Sequence, residues 1–287
     1  MSLLLNTVRS IMAARREQAT GLPSAPTGPA PDTSAASAPA ALPGTDSAAA
    51  WKLLSAQTGV QEADYADIAR PGVQHLFGHA PRRLLDIGCA GGAVGAGLKL
   101  SMPGLWVWGC ELNARAAQAA ATRLDHVTSV PRTEWSPEDL ARVKSVDTVL
   151  LLDVLEHMYN PWTELEFLSQ HLPADAQVIV SLPNVSHLAV LEDLAAGKFL
   201  YQPTGILDVT HVRFFTPGGM QAMFDETGFE TEGTWILSSS PNITIEQFPA
   251  QVAAGKLIIT VESESEWARL NAIQFGFRLR PKRLAPR

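Results

Sequence analysis

Cysteine is nearly missing from this chain: Cys89 and Cys110 are the whole supply in 287 residues. Two thiols cannot build the dense bridge framework of a small secreted domain, so both are expected as buried, reduced side chains of a cytoplasmic protein. Long apolar runs are also lacking, and none approaches the roughly 18 residues that a membrane-spanning helix needs. Cationic excess is lacking as well. Lys and Arg number 22 against 29 Asp and Glu, for a formal net charge of −7, and no basic run precedes the C-terminus. That excludes nucleic acid as an expected partner, and the basic stretch from Arg278 to Arg283 reads as a solvated strand end. The layout of a secretory leader, a charged segment followed by a long apolar core, is absent from the N-terminus.

What is present divides unevenly. Residues 1–19 carry Leu3, Leu4, Leu5, Val8, Ile11 and Met12 at near-helical spacing, with Arg9, Arg15 and Arg16 between them. The pattern predicts a short amphipathic helix that frays at the terminus or contacts a partner or membrane surface. Residues 20–49 are almost wholly Ala, Pro, Gly, Ser and Thr. Such a segment buries too little apolar area to offset its ordering entropy, so it reads as a disordered linker. Residues 50–287 read as one domain, opened by a helical cover over 50–80 with Trp51, Leu53, Leu54, Tyr65, Ile68, Val73, Leu76 and Phe77 as its apolar points.

Beyond residue 80, strand-like and helix-like runs alternate. Strands are expected at 83–88, 105–110, 126–130, 147–152 and 176–182, with helices near 93–102, 113–124 and 161–172. This alternation predicts a parallel α/β sheet. Asn160-Pro161 and Thr216-Pro217 each read as an N-cap followed by the first helical residue, and Gly228 as a helix stop. Strands near 230–238 and 273–280 would close the sheet. Insertions at 184–215 and 240–270 are long for a compact domain, and loops of that length are usually functional.

The stretch from Leu84 to Gly95 is the most informative: an apolar strand, then Asp86, then the glycine-dense turn Gly88-Cys89-Ala90-Gly91-Gly92, then a helical pattern. Glycines let a backbone turn tightly and let a ligand approach main-chain N–H groups. Ala90 stands within the turn, and because its methyl group resists positive φ it is expected in an ordinary backbone region. Two further apolar runs also end in acids, at Glu111 and Asp153. Three carboxylates at strand tips describe a crevice above a sheet, where doubly wound folds bind ligands. The competing reading of Glu111 and Asp153 is a pair of carboxylates favoured by helix N-terminal dipoles.

Leu84 to Gly95 resembles the first motif of class I S-adenosylmethionine-dependent methyltransferases. Asp153-Val154-Leu155-Glu156-His157-Met158 with Asn160-Pro161 resembles their motif after the fourth strand, and Ser181 to His187 their fifth strand and its exit. Leu207-Asp208-Val209-Thr210-His211-Val212-Arg213-Phe214-Phe215-Thr216 resembles a signature of one bacterial branch. That branch is associated with surface-glycan synthesis and related to the quinone-pathway O-methyltransferases. The resemblance spans roughly residues 60–280 and implies a seven-stranded doubly wound sheet with S-adenosylmethionine as cofactor. It further implies that Asp86, Gly88, Ala90 and Gly92 hold the methionine half of the cofactor. Glu111, with Leu112 beside it, would hold the ribose, and Thr133, Glu134 or Trp135 would flank the adenine. Asp153 completes the acidic ring around a cationic cofactor.

An alcohol acceptor must lose its proton as the methyl group arrives, so a base or a metal is called for. His211 and His157 are the candidate catalytic groups, with Asp208 beside the first and Tyr201 and His187 behind them. Glu156, His157, Asp208 and His211 could also gather around a divalent cation, since carboxylate and imidazole are suitable ligands. A lone histidine is more often a hydrogen-bonded structural group, so the cation is the lesser expectation. Phe214 and Phe215 are expected in the core. The acceptor expected first is a sugar or glycan intermediate; the alternatives are a phenolic or quinol-like ring, or a cofactor-binding pseudoenzyme serving as a partner subunit.

Overall fold

The computed structural model describes residues 68–240 and 245–282. The expected N-terminal helix, the linker and most of the helical cover lie outside the described residues. All the described residues belong to one compact unit, Asp46–Arg287. Of the cover, the described part is a single 3₁₀ turn, Pro71–Leu76, which buries Val73 and Leu76. Pro71 starts that turn at a position where its missing N–H costs nothing.

The strands are β1 Arg83–Ile87, β2 Trp106–Cys110, β3 His126–Thr128, β4 Thr148–Leu152, β5 Gln177–Pro183, β6 Phe229–Ser239, β7 Ala250–Ala254, β8 Leu257–Val261 and β9 Ala272–Pro281. Between them lie α1 Ala93–Ser101, α2 Ala114–Ala121, α3 Pro137–Arg142, α4 Pro161–His171, α5 Leu188–Ala195, α6 Pro217–Glu226 and α7 Glu264–Asn271. Seven strands form one sheet in the order β3-β2-β1-β4-β5-β9-β6, while β7 and β8 form a separate hairpin. Neighbours among β1 to β5 are parallel. The two closing strands make the sheet mixed, because β9 runs antiparallel to both β5 and β6. The chain reaches it through the hairpin and α7 rather than by a crossover helix, and parallel pairing needs such a crossover.

Side-chain alternation along the strands divides the core between the two faces of the sheet. Leu85, Trp108, Val149, Leu151, Val178 and Val180 join one buried cluster with Phe224 and Phe277. Their neighbours Leu84, Val107, Leu150 and Ile179 join the other cluster with Leu98 and Leu124. Period-two alternation with both faces covered is what a buried sheet demands, and each fully buried Leu or Val contributes about 1.5–3 kcal/mol. The helix starts follow the sequence signals. The Asn160 side chain accepts from the Thr163 N–H, and the Thr216 hydroxyl accepts from the Gly219 N–H.

The chain winds outward from β1 to β3 and then restarts at β4 on the other side of β1. The carboxyl ends of β1 and β4 therefore flank the point where strand order reverses, and ligands bind there in this architecture. The glycine turn follows β1 and Asp153 follows β4, which places both at that point.

Candidate active site

Gly88 adopts φ +75°, and a Cβ there would meet a Val154 methyl at 2.5 Å, so the turn after β1 sits directly against the turn after β4. Ala90 departs from expectation: its φ is +49°, in the left-handed region. Two contacts impose that conformation. The Ala90 N–H donates to Glu111 Oε2 at 3.0 Å, and two residues on the Gly92 N–H donates to the Cys89 carbonyl at 2.9 Å. A non-glycine residue held there stores about 1–2 kcal/mol of strain.

Glu111 is buried, and its other oxygen accepts from the Asn113 N–H at 2.8 Å. This carboxylate thus clamps the glycine turn to the start of α2. Asp86 is 3 % exposed, and its Oδ2 has no partner. Burial pushes its carboxyl up to about 7, against a partial offset from Arg70, with Glu111 adding to the rise. A buried carboxylate without a cation is costly, so burial favours the protonated form of this group. Among the remaining positions, Leu112 and Glu134 are exposed. Trp135 has a buried ring, 4.8 Å from Trp108 and 6.3 Å from Phe167.

Asp153 is the second non-glycine residue at positive φ, +57°. Its Oδ1 accepts from the Ser181 hydroxyl at 2.8 Å and from the Gln274 amide, and its Oδ2 pairs with Arg70 at 2.7 Å. Arg70 carried no sequence signal, because nothing local tells a cation before Pro71 that it will face the tip of β4.

Beside Asp153 lies a cavity of about 300 Å³ lined by Glu156, His157, Asp208 and His211, with Ile273 and Gln274 of β9. The turn Leu155–His157 is stitched to the insertion because the Glu156 carbonyl accepts from the Val212 and Arg213 N–H groups at 2.9 and 3.0 Å. His157 and His211 pack edge to face with centroids 4.8 Å apart. His211 Nδ1 lies 3.0 Å from the Ile206 carbonyl and His157 Nδ1 lies 3.3 Å from the Thr210 carbonyl. A carbonyl only accepts, so both imidazoles carry their proton on Nδ1 when neutral, which leaves Nε2 as a bare lone pair. Burial and the neighbouring His211 hold His157 below the ordinary imidazole range. Glu156 is 1 % exposed, and burial, reinforced by Asp153, pushes its carboxyl well above the usual range.

Most of the signature around His211 is structural. Leu207, Val209 and Phe215 are buried, Arg213 donates to the Tyr159 carbonyl, and Thr216 caps α6. Asp208 Oδ1 is occupied by the Thr210 N–H at 2.8 Å and the Thr210 hydroxyl at 2.6 Å. It lines the cavity but stands outside the group formed by Glu156, His157 and His211, whose ligand atoms all lie within 4.8 Å of one another. His187 is a cap: Nδ1 accepts from the Ala189 N–H at 3.1 Å and Nε2 lies 2.9 Å from the Ser240 hydroxyl. Burial holds its pKa down, as an accepting nitrogen requires. Phe214 differs from the core position expected for it. It is half-buried and forms an aromatic group with Phe199 and Tyr201 beside His211, ring centroids 5.3, 6.2 and 6.3 Å away respectively.

Residues 62–233 match the family model of a methyltransferase domain. A ubiquinone biosynthesis O-methyltransferase of Aromatoleum aromaticum is 27 % identical over 169 residues, which cover 57 % of this chain and 70 % of that one. The protein of the same description from Pseudomonas savastanoi pv. phaseolicola is 24 % identical over 194 residues, covering 66 % and 82 %. A solved SAM-dependent methyltransferase from Thermotoga maritima aligns with 81 % of this chain and 100 % of its own at 17 % identity, with a TM-score of 0.49. The family model spans more than half of the sequence and takes in the glycine turn, the β4 exit and the His211 segment: the chain belongs to the methyltransferase-domain family and is an S-adenosylmethionine-dependent methyltransferase.

Proposed function

We propose that this enzyme methylates a hydroxyl oxygen of a small acceptor held in the cavity over Glu156, His157 and His211. S-adenosylmethionine supplies a methyl group on a positively charged sulfur, so the carbon–sulfur bond breaks as the carbon–oxygen bond forms. The residues present suit that cofactor. Asp86 offers an unpartnered buried carboxylate to its ammonium group, the Gly88 turn offers close main-chain approach, and Arg70 offers a guanidinium to its carboxylate. Glu111 and Leu112 at the end of β2 would border the ribose, with Glu134 towards the adenine. Asp153 stays with Arg70 at the boundary between cofactor and acceptor.

The observation that carries the reading is the pair of bare Nε2 atoms in one cavity. An oxygen acceptor must release a proton, and His211, buried and oriented by the Ile206 carbonyl, is the group placed to manage it. A phenolic or quinol-like acceptor is favoured over a glycan by the Phe199, Tyr201 and Phe214 group beside His211 and by the relatives named for ubiquinone biosynthesis. A sugar or glycan acceptor, implied by resemblance of the Leu207–Thr216 signature, is the second reading.

The test pairs labelled cofactor with two acceptor sets, catechols and quinols on one side and nucleotide sugars on the other. Label on a phenolic oxygen is expected, and label on sugars alone would overturn the phenolic assignment. His211→Ala should lower turnover by about 10²–10⁴-fold with the affinity for S-adenosylhomocysteine unchanged. Normal turnover by that variant would remove His211 from the chemistry.

A further inference from the structure

We infer that Glu156, His157 and His211 form a binding site for one divalent transition-metal ion at the floor of the acceptor cavity. Three independent features meet there. The first is the donor set, two imidazoles and a carboxylate with all ligand atoms within 4.8 Å of one another. The second is what stands behind the imidazoles. Each Nδ1 faces a main-chain carbonyl, Ile206 for His211 and Thr210 for His157, which fixes the tautomer and leaves Nε2 as the nitrogen able to take an ion. Metal-binding histidines are held in this way, by a carbonyl or carboxylate on the nitrogen away from the metal. The third is Glu156 itself, 1 % exposed, with Oε2 lacking any hydrogen-bond partner and Oε1 4.0 Å from His211 Nε2. At that separation no hydrogen bond forms, and a buried carboxylate left this way calls for a cation.

The distances suit an ion. Two ligands each about 2.1 Å from a zinc-like ion stand about 3–3.5 Å apart. Closing the site therefore needs about 1 Å of side-chain movement, and His157, exposed at the rim, has room to make it. The donor chemistry selects among cations. Imidazole suits zinc, iron and their neighbours, whereas magnesium prefers an all-oxygen octahedron and keeps its waters. Three protein ligands leave a coordination position open towards the cavity, the arrangement of catalytic rather than structural sites. With the cation bound, His211 and His157 would act as its ligands rather than as bases: an acceptor hydroxyl reaching the open position would be acidified by the cation, with its proton passing to water. This role rests on the hydroxyl-acceptor reading; the site itself does not.

The test is calorimetric titration of the metal-free full chain with Zn²⁺, Mn²⁺ and Mg²⁺ separately, with S-adenosylhomocysteine binding measured on the same sample. One equivalent of Zn²⁺ should bind, with Mg²⁺ at least a hundredfold weaker. His157→Asn, a change at an exposed rim position, and Glu156→Gln should each weaken Zn²⁺ binding about a hundredfold, while an exposed control, His75→Ala, leaves it unchanged. Thermal melts check that each variant is folded, and His157→Asn keeps the test decisive if Glu156→Gln unfolds. Failure of Zn²⁺ to bind, or undiminished binding in His157→Asn, overturns the site. Retained S-adenosylhomocysteine binding in that case leaves the methyltransferase function standing.

Discussion

Cofactor affinity should rise steeply with pH through neutrality, because the carboxyl of Asp86 is both buried and unpartnered. Its residue is 3 % exposed, Oδ2 meets no donor, and burial pushes the group up to about 7. If the ammonium of the cofactor pairs only with the ionised form, affinity follows the ionised fraction. For a group titrating near 7 that fraction is about 3 % at pH 5.5 and about 75 % at pH 7.5, a rise of about 25-fold or ~1.9 kcal/mol. Calorimetry with S-adenosylhomocysteine between those values reads it directly, and Asp86→Asn should give weak, pH-independent binding. Affinity constant within threefold across the range would refute the reasoning. Stability should move the opposite way. A raised acid keeps its proton in the folded chain after the unfolded chain has lost it, so the folded state binds more protons between about pH 4 and 7. Stability of the cofactor-free protein therefore falls as pH rises through that window and levels off above it. Asp86→Asn removes the part of that slope that Asp86 contributes and leaves the part of the same sign from Glu156, whose carboxyl burial also pushes up.

Ala90→Gly should raise stability by about 0.5–1 kcal/mol in denaturant melts, since relief of left-handed strain exceeds the added entropy of glycine; a loss of stability would show that the alanine methyl makes a contact worth more than the strain. Glu111→Gln replaces a carboxylate that accepts from both Ala90 and Asn113 with a group that can accept through only one atom. It should cost about 1–3 kcal/mol of stability and weaken S-adenosylhomocysteine binding with it, and an unchanged melting temperature would dissolve the clamp. His187→Ala should cost about 1 kcal/mol through loss of the α5 cap with turnover unaltered, and a large fall in turnover at full cofactor affinity would return His187 to the catalytic candidates.

The sequence by itself determined what short-range rules control. The alternation of β1 to β5 with helices, the caps at Asn160 and Thr216, and the glycine turn placed after β1 all follow from patterns within a few residues of one another, and each stands where expected. So do the acids at three strand tips, because a strand period and its turn fix which residue comes last. The tertiary structure decided which of those acids meet, and with what. Arg70 reaches Asp153 only because the Pro71 turn lies over the restart point of the sheet, and Ala90 is driven to positive φ by a carboxylate 21 residues away. His157 and His211 share one cavity because the Glu156 carbonyl pins the returning insertion, and the same loop uses Asp208 and His187 as caps that no spacing rule distinguishes from active groups. Local propensity specifies the elements, but convergence of side chains from separate elements depends on long-range pairing and burial, which the order of residues along the chain does not display.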